Sequence, residues 1–188
     1  MSQKSILDKR CQTEWEATVN KYNKTTLWLA VIFNLLFFIT DYININEFWK
    51  EFLTFRATVS VICLAVVLSH KKLKMHLQLL GVIPVLLISI QNAYMWSVMD
   101  LEHLQKHTLA YVTLFIGSGM FVFYHIYYAI AIVFLSLIAN VIFFVLNSDL
   151  ILEDILANGG LITLSVAVFS ILLIRMRFEL TKKELIWF

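Results

Sequence analysis

Proline occurs once in 188 residues, glycine five times and cysteine twice, and charged side chains make up only 15% of the chain. So little proline and glycine excludes a low-complexity or collagen-like chain. Two cysteines cannot form a disulfide framework. Cys11 stands in a polar stretch and Cys63 in an apolar one, so both are expected as thiols. A soluble domain of this length carries about a quarter charged residues and is about half apolar; this chain is 60% apolar. The net charge of +2 gives no basic footprint for nucleic acid. The opening "MSQKSILDKRCQTEWE" has no signal-peptide core or cleavage site. P-loop, GxSxG, HExxH and CxxC motifs are all absent, and no acidic pair lies in an apolar run. Catalysis within these residues is not indicated.

What is present is a series of apolar runs of membrane-crossing length, about 20 residues each. They cover 25–42, 52–69, 75–99 and 155–174, together with the stretch 108–148, which has no Lys, Arg, Asp or Glu. One helix over those 41 residues would be about 60 Å long, twice the bilayer core. The stretch must therefore reverse, and "GSGMFVFYHIYY" places the turn near Tyr124–His125. The expected class is all-α, a polytopic membrane protein with six transmembrane helices. With both termini inside, twelve Lys and Arg fall in inner segments (from Lys4 to Lys24, Lys71 to Lys74, and Arg175 to Lys183) and only Lys50 and Lys106 in outer ones. That asymmetry follows the positive-inside rule and points to a plasma-membrane protein with both termini cytoplasmic.

Three regions follow. Residues 1–24 are expected as an amphipathic helix on the inner leaflet, with Leu7, Cys11, Trp15, Val19 and Tyr22 on its apolar face and Trp15 as anchor. Residues 25–174 form the six-helix domain. Residues 175–188, "RMRFELTKKELIWF", continue the last helix beyond the membrane. There Ile174, Phe178, Thr181, Leu185 and Phe188 recur at spacings of 4, 3, 4 and 3, a heptad seam. The seam predicts a parallel homodimer and a chain that runs on past Phe188 as a coiled-coil exit helix.

Polar residues inside the spans are the candidate ligand-binding groups. Asp41, Arg56, Gln91, Asn92 and Asn140 fall in the outer half and Asn34 near mid-depth, with Tyr94, Trp96 and Trp49 expected as apolar walls. Asp41 and Arg56 end and begin consecutive spans and can pair. The competing reading is that all of these are interhelical hydrogen-bond glue. Five histidines lie near the two faces: His70, His76 and His125 inside, His103 and His107 outside. Facing imidazoles can hold haem, but their position at the water boundary assigns no ligand. No cofactor and no metal are expected.

The ensemble of six short spans, Arg56 opening the second in "FLTFRATVSVICLAVVLSHKKLK", its basic loop, and the exit helix "RMRFELTKKEL" resembles a bacterial membrane receptor module. Such modules precede sensor histidine kinases and class III nucleotidyl cyclases. The chain is similar in topology, over about residues 30–188, to the six-span receptor domain of hydroxyketone quorum-sensing histidine kinases. The resemblance implies sensing of a small apolar ligand within the bilayer, dimerisation, and control of a cytoplasmic catalytic domain. A six-span substrate-binding subunit of a transporter is the alternative, opposed by the scarcity of small residues for close helix packing.

Overall fold

Without a glycine or proline from Gln3 to Asn44, the chain forms one unbroken helix of 42 residues, α1, about 63 Å long at 1.5 Å per residue. The computed structural model describes residues 3–45 and 47–187, with side chains from residue 11 to 184. The helices that follow are α2 (Trp49–Ser69), α3 (Leu79–Ser97), α4 (Leu101–Phe121), α5 (Ile126–Asn147), the single turn α6 (Leu152–Ile155), a π-type turn (Leu156–Gly160) and α7 (Leu161–Trp187). Among the described residues no strand is present.

The connections between successive spans turn the chain back, while α6 and α7 are joined only by a kink. Residues 122–125 are extended between α4 and α5, at the place where the charge-free stretch had to turn. Asp100 caps α4 by accepting from the backbone N–H of His103 at 2.9 Å, and that bond holds its carboxyl below the ordinary aspartate range. Between α6 and α7 the signal is "ANGG": Gly159 takes φ 122°, a left-handed conformation that glycine alone adopts without strain. The sequence reading ran straight through this break.

α1, α2, α3, α5 and the α6–α7 unit are long and apolar enough to cross a membrane. The chain is thus an all-helical, multi-pass membrane protein. α4 has the length, but its first two turns carry Glu102, His103, Gln105, Lys106 and His107. Among the described residues sixteen polar or charged side chains are buried, and in a lipid solvent such groups and close packing hold helices together where apolar burial does not.

Two expectations change. The expected helix over residues 1–24 is not a separate element: from residue 3 on it is the first half of α1, because nothing breaks the helix near Lys24. Trp15 packs edge-on against Phe123 and Phe178, at 6.2 and 4.8 Å between centroids. The seam is likewise used within the chain in its described part. Ile174 is 3% exposed and Phe178 meets Trp15 and His125, so both turn inward. Thr181 is half-buried, the side chain of Leu185 lies outside the described residues, and so does Phe188. Cysteine placed at Phe178, in a background with Cys11 and Cys63 replaced by alanine, is expected to give no symmetric disulfide on mild oxidation. A dimer band on a non-reducing gel would return Phe178 to an interface.

Candidate functional site

Asn34 and Asp41 are seven residues apart on α1, so they share a face two turns apart. Arg56 and Ser60 do the same one turn apart on α2, and α3 brings Gln91 to the same level. All five are buried, Arg56 and Asp41 to 1% exposure. Arg56 holds Asp41 with two parallel bonds, Nε to Oδ2 at 2.5 Å and Nη2 to Oδ1 at 3.0 Å. This fork-on-carboxylate geometry is the strongest form of the pair. Its Nη1 donates to Asn34 Oδ1 at 3.2 Å.

Asn34 and Gln91 form a reciprocal amide pair: Asn34 Nδ2 donates to Gln91 Oε1 at 3.1 Å, and Gln91 Nε2 to Asn34 Oδ1 at 3.0 Å. Asn34 Nδ2 also reaches the Arg56 carbonyl at 3.1 Å and Ser60 Oγ at 3.2 Å. The pair is thereby tied to three helices. His107 of α4 stands behind it, Nδ1 4.0 Å from Asp41 Oδ1, and its Nε2 is buried without a partner among the described residues.

Beside this network lies a cavity of about 370 Å³ between α1, α3 and α4, within the size range of small-molecule sites. Its walls are largely apolar, chiefly Phe33, Phe37, Ile88, Leu114 and Phe121; Arg56, Asn34 and Asn92 line it too, with the hydroxyl residues Thr26, Thr113 and Ser118. Asn92 is 2% exposed and its Oδ1 has no hydrogen-bond partner among the described residues. A guanidinium has five N–H donors, and the bonds of Arg56 use at most four. The cavity therefore offers one acceptor and one charged donor in an oily surround.

Of the residues expected to bind ligand, Asp41, Arg56, Gln91 and Asn92 come together. Asn140 does not. It sits across the bundle, where Nδ2 donates to Tyr111 Oη at 2.7 Å. The expected aromatic walls are elsewhere too. Tyr94 bonds Glu51, Trp49 packs on Phe38 and Tyr42, and Trp96 donates to the Leu104 carbonyl. His107, read as a boundary residue, is 5% exposed in the core. Sequence reasoning also passed over Ser60, one turn after Arg56 on the same face. His103 and His107 are one turn apart, but His103 is engaged by Asp100 at 2.7 Å. Among the described residues no group of three His, Cys, Asp or Glu side chains could hold a metal.

The fold and the site together define a multi-pass helical membrane protein with a built polar centre and a cavity beside it. Comparison with protein-family models, with curated proteins and with solved structures finds no match to this chain.

Proposed function

We propose that this chain is a membrane receptor module that takes a small, largely apolar ligand with one or two oxygens into the cavity between α1, α3 and α4. The observation that carries this reading is Asn92 Oδ1, buried and without a partner among the described residues, on a side chain that lines the same largely apolar cavity as Arg56. A buried polar atom left unmet costs about 1–3 kcal/mol, and a ligand hydroxyl would recover that. Arg56 would then meet a ligand carbonyl or ether oxygen, while Asp41, Asn34 and Gln91 hold the guanidinium in place.

In this reading the chain crosses the bilayer six times. α4 is the sixth crossing; of its polar first turns His107 is buried toward Asp41, while Glu102, Gln105 and Lys106 are exposed. The end carrying Lys71, Lys72, Lys74, Arg175 and Arg177 faces the cytoplasm of a bacterial cell. Occupancy would reach that end through α7, and the output would be a histidine kinase or nucleotidyl cyclase activity controlled there, as the resemblance implies.

Gly117 gives a clean test. It lines the cavity, and a Cβ built on it meets nothing within 4 Å. Gly117→Leu is therefore expected to fill the space without a clash and to keep or raise stability, since leucine exceeds glycine in helix propensity by up to ~1 kcal/mol. Protein taken from native membranes into lipid nanodiscs should carry a small-molecule adduct by native mass spectrometry that Gly117→Leu loses, while any adduct held elsewhere in the bundle stays. A folded Gly117→Leu variant with the same set of adducts as the parent, or a parent with no adduct, sinks the reading.

A further inference from the structure

Across the bundle, a second cavity of about 350 Å³ lies between α3, α4, α5 and the α6–α7 unit, and it shares no lining residue with the first. No ionisable acid or base lines it apart from the phenol of Tyr111. Two oxygens in it lack partners among the described residues: Asn140 Oδ1 and Thr163 Oγ1.

Each is unmet for a physical reason. Asn140 spends its amide N–H groups on Tyr111 Oη at 2.7 Å and on the Ser136 carbonyl at 2.8 Å, which fixes the amide and leaves the oxygen over. Tyr111 is itself held at Ser136 Oγ, 2.7 Å, and at Ser89 Oγ, 3.3 Å. Thr163 is 6% exposed. A helical threonine usually returns its hydroxyl to the carbonyl four residues back, as Thr54, Thr58, Thr108 and Thr113 do here. Four residues before Thr163 is Gly159, whose φ of 122° takes it out of the helix. The π-type break thus removes the acceptor that Thr163 would use and leaves its buried hydroxyl without a partner among the described residues, on the lining of the same cavity as Asn140. The rim is lipid-facing: Val145 is 77% exposed and Leu152 68%.

We infer that this cavity is a second binding site, for a neutral amphiphile whose apolar chain ends in a hydroxyl and which enters from the bilayer. The ligand hydroxyl donates to Asn140 Oδ1, and Thr163 Oγ1 donates to a ligand oxygen. The site is independent of the receptor reading, because none of its residues touches the cavity beside Arg56.

Trp96 lines this cavity and not the other, so its fluorescence reports occupancy. In nanodiscs, a bromine-tagged straight-chain octanol should quench Trp96 saturably, with the signal identified by its loss in Trp96→Phe. Bromooctane, which lacks the hydroxyl, should not. Thr163→Val should weaken the midpoint roughly 2- to 13-fold, the range of one net hydrogen bond. Thr163→Ser should restore it, and the thermal midpoint of Thr163→Val should not fall. Gly117→Leu should leave quenching unchanged. Diacylglycerol and phosphatidylcholine of equal chain length separate the sources: displacement of the octanol by diacylglycerol alone makes the natural occupant a lipid hydroxyl, and no displacement by either makes it a free alcohol. Equal quenching by bromooctane, an unshifted Thr163→Val, or loss of quenching in Gly117→Leu overturns the assignment.

Discussion

Asp41→Ala is expected to abolish accumulation of folded protein, while the double variant Asp41→Leu/Arg56→Met accumulates near the parent level. Removing one partner of a buried pair leaves the other charge uncompensated, which costs about 3–5 kcal/mol. Whole-domain stability is often only ~5–15 kcal/mol, so this loss is large. Asp41 and Arg56 are each 1% exposed, so neither can reach water after the other is cut away. Replacing both by apolar groups of similar volume removes the desolvation cost with the attraction, and such swaps are often neutral. The double variant would, however, lack the donor that the cavity presents. It should therefore fold and lack the adduct that Gly117→Leu also loses, which separates structure from binding. Size-exclusion profiles and unfolding by SDS titration give the first readout and native mass spectrometry the second. A parent-like Asp41→Ala, or a double variant no better than the single one, would show that the pair is not desolvated as described.

Much of this site was legible because two constraints are readable without coordinates. Asp41 and Arg56 close and open consecutive helices joined by residues 45–48, so they must lie at one depth on adjacent helices. Uncharged residues 108–148 had to turn back, and "FVFYH" was the place to do so. Depth is not direction, however. Asn140 was grouped with Arg56 because both fall in the outer half, yet α5 turns Asn140 toward Tyr111 and Ser136, and helix rotation about its own axis leaves no mark in hydropathy. His107 failed for a related reason. A histidine beside Glu102 and Lys106 reads as solvated, but its own face of α4 points at Asp41.

The seam from Ile174 shows the same limit from another side. Periodicity states that a face is covered and not by what, and here Ile174 is buried within the chain and Phe178 meets Trp15 of α1 and His125 of the α4–α5 turn. The break at Gly159 was the readable signal left unread, since paired glycines after Asn158 mark a departure from helix.

Asn23 carries the other large effect. It is 0% exposed, and it stands one turn after Val19 and two after Trp15, on the side of α1 that meets the bundle. Its Nδ2 donates to the carbonyls of Phe123 at 2.7 Å and Leu77 at 3.1 Å, and its Oδ1 accepts from the Phe123 N–H at 2.7 Å. One side chain thus satisfies both backbone groups of an extended residue in the α4–α5 turn, which has no helix to satisfy them, and ties α1 to the chain entering α3. Phe123 in turn stacks under the Arg177 guanidinium at 3.9 Å, so the same turn seats α7. In Asn23→Ala the N–H and carbonyl of Phe123 lose these bonds in a buried setting, at about 1–3 kcal/mol each, or ~2–6 kcal/mol together. Asn20, one turn earlier, is the control: its buried Oδ1 has no partner among the described residues, so Asn20→Ala should be neutral or mildly stabilising. Hydrogen exchange should speed at residues 122–125 in Asn23→Ala and spread into α7 near Arg177, with Asn20→Ala matching the parent. Protection at the turn that survives Asn23→Ala would mean that packing of Val122 against Gly81 holds it, and that α1 and α7 are not joined through this residue.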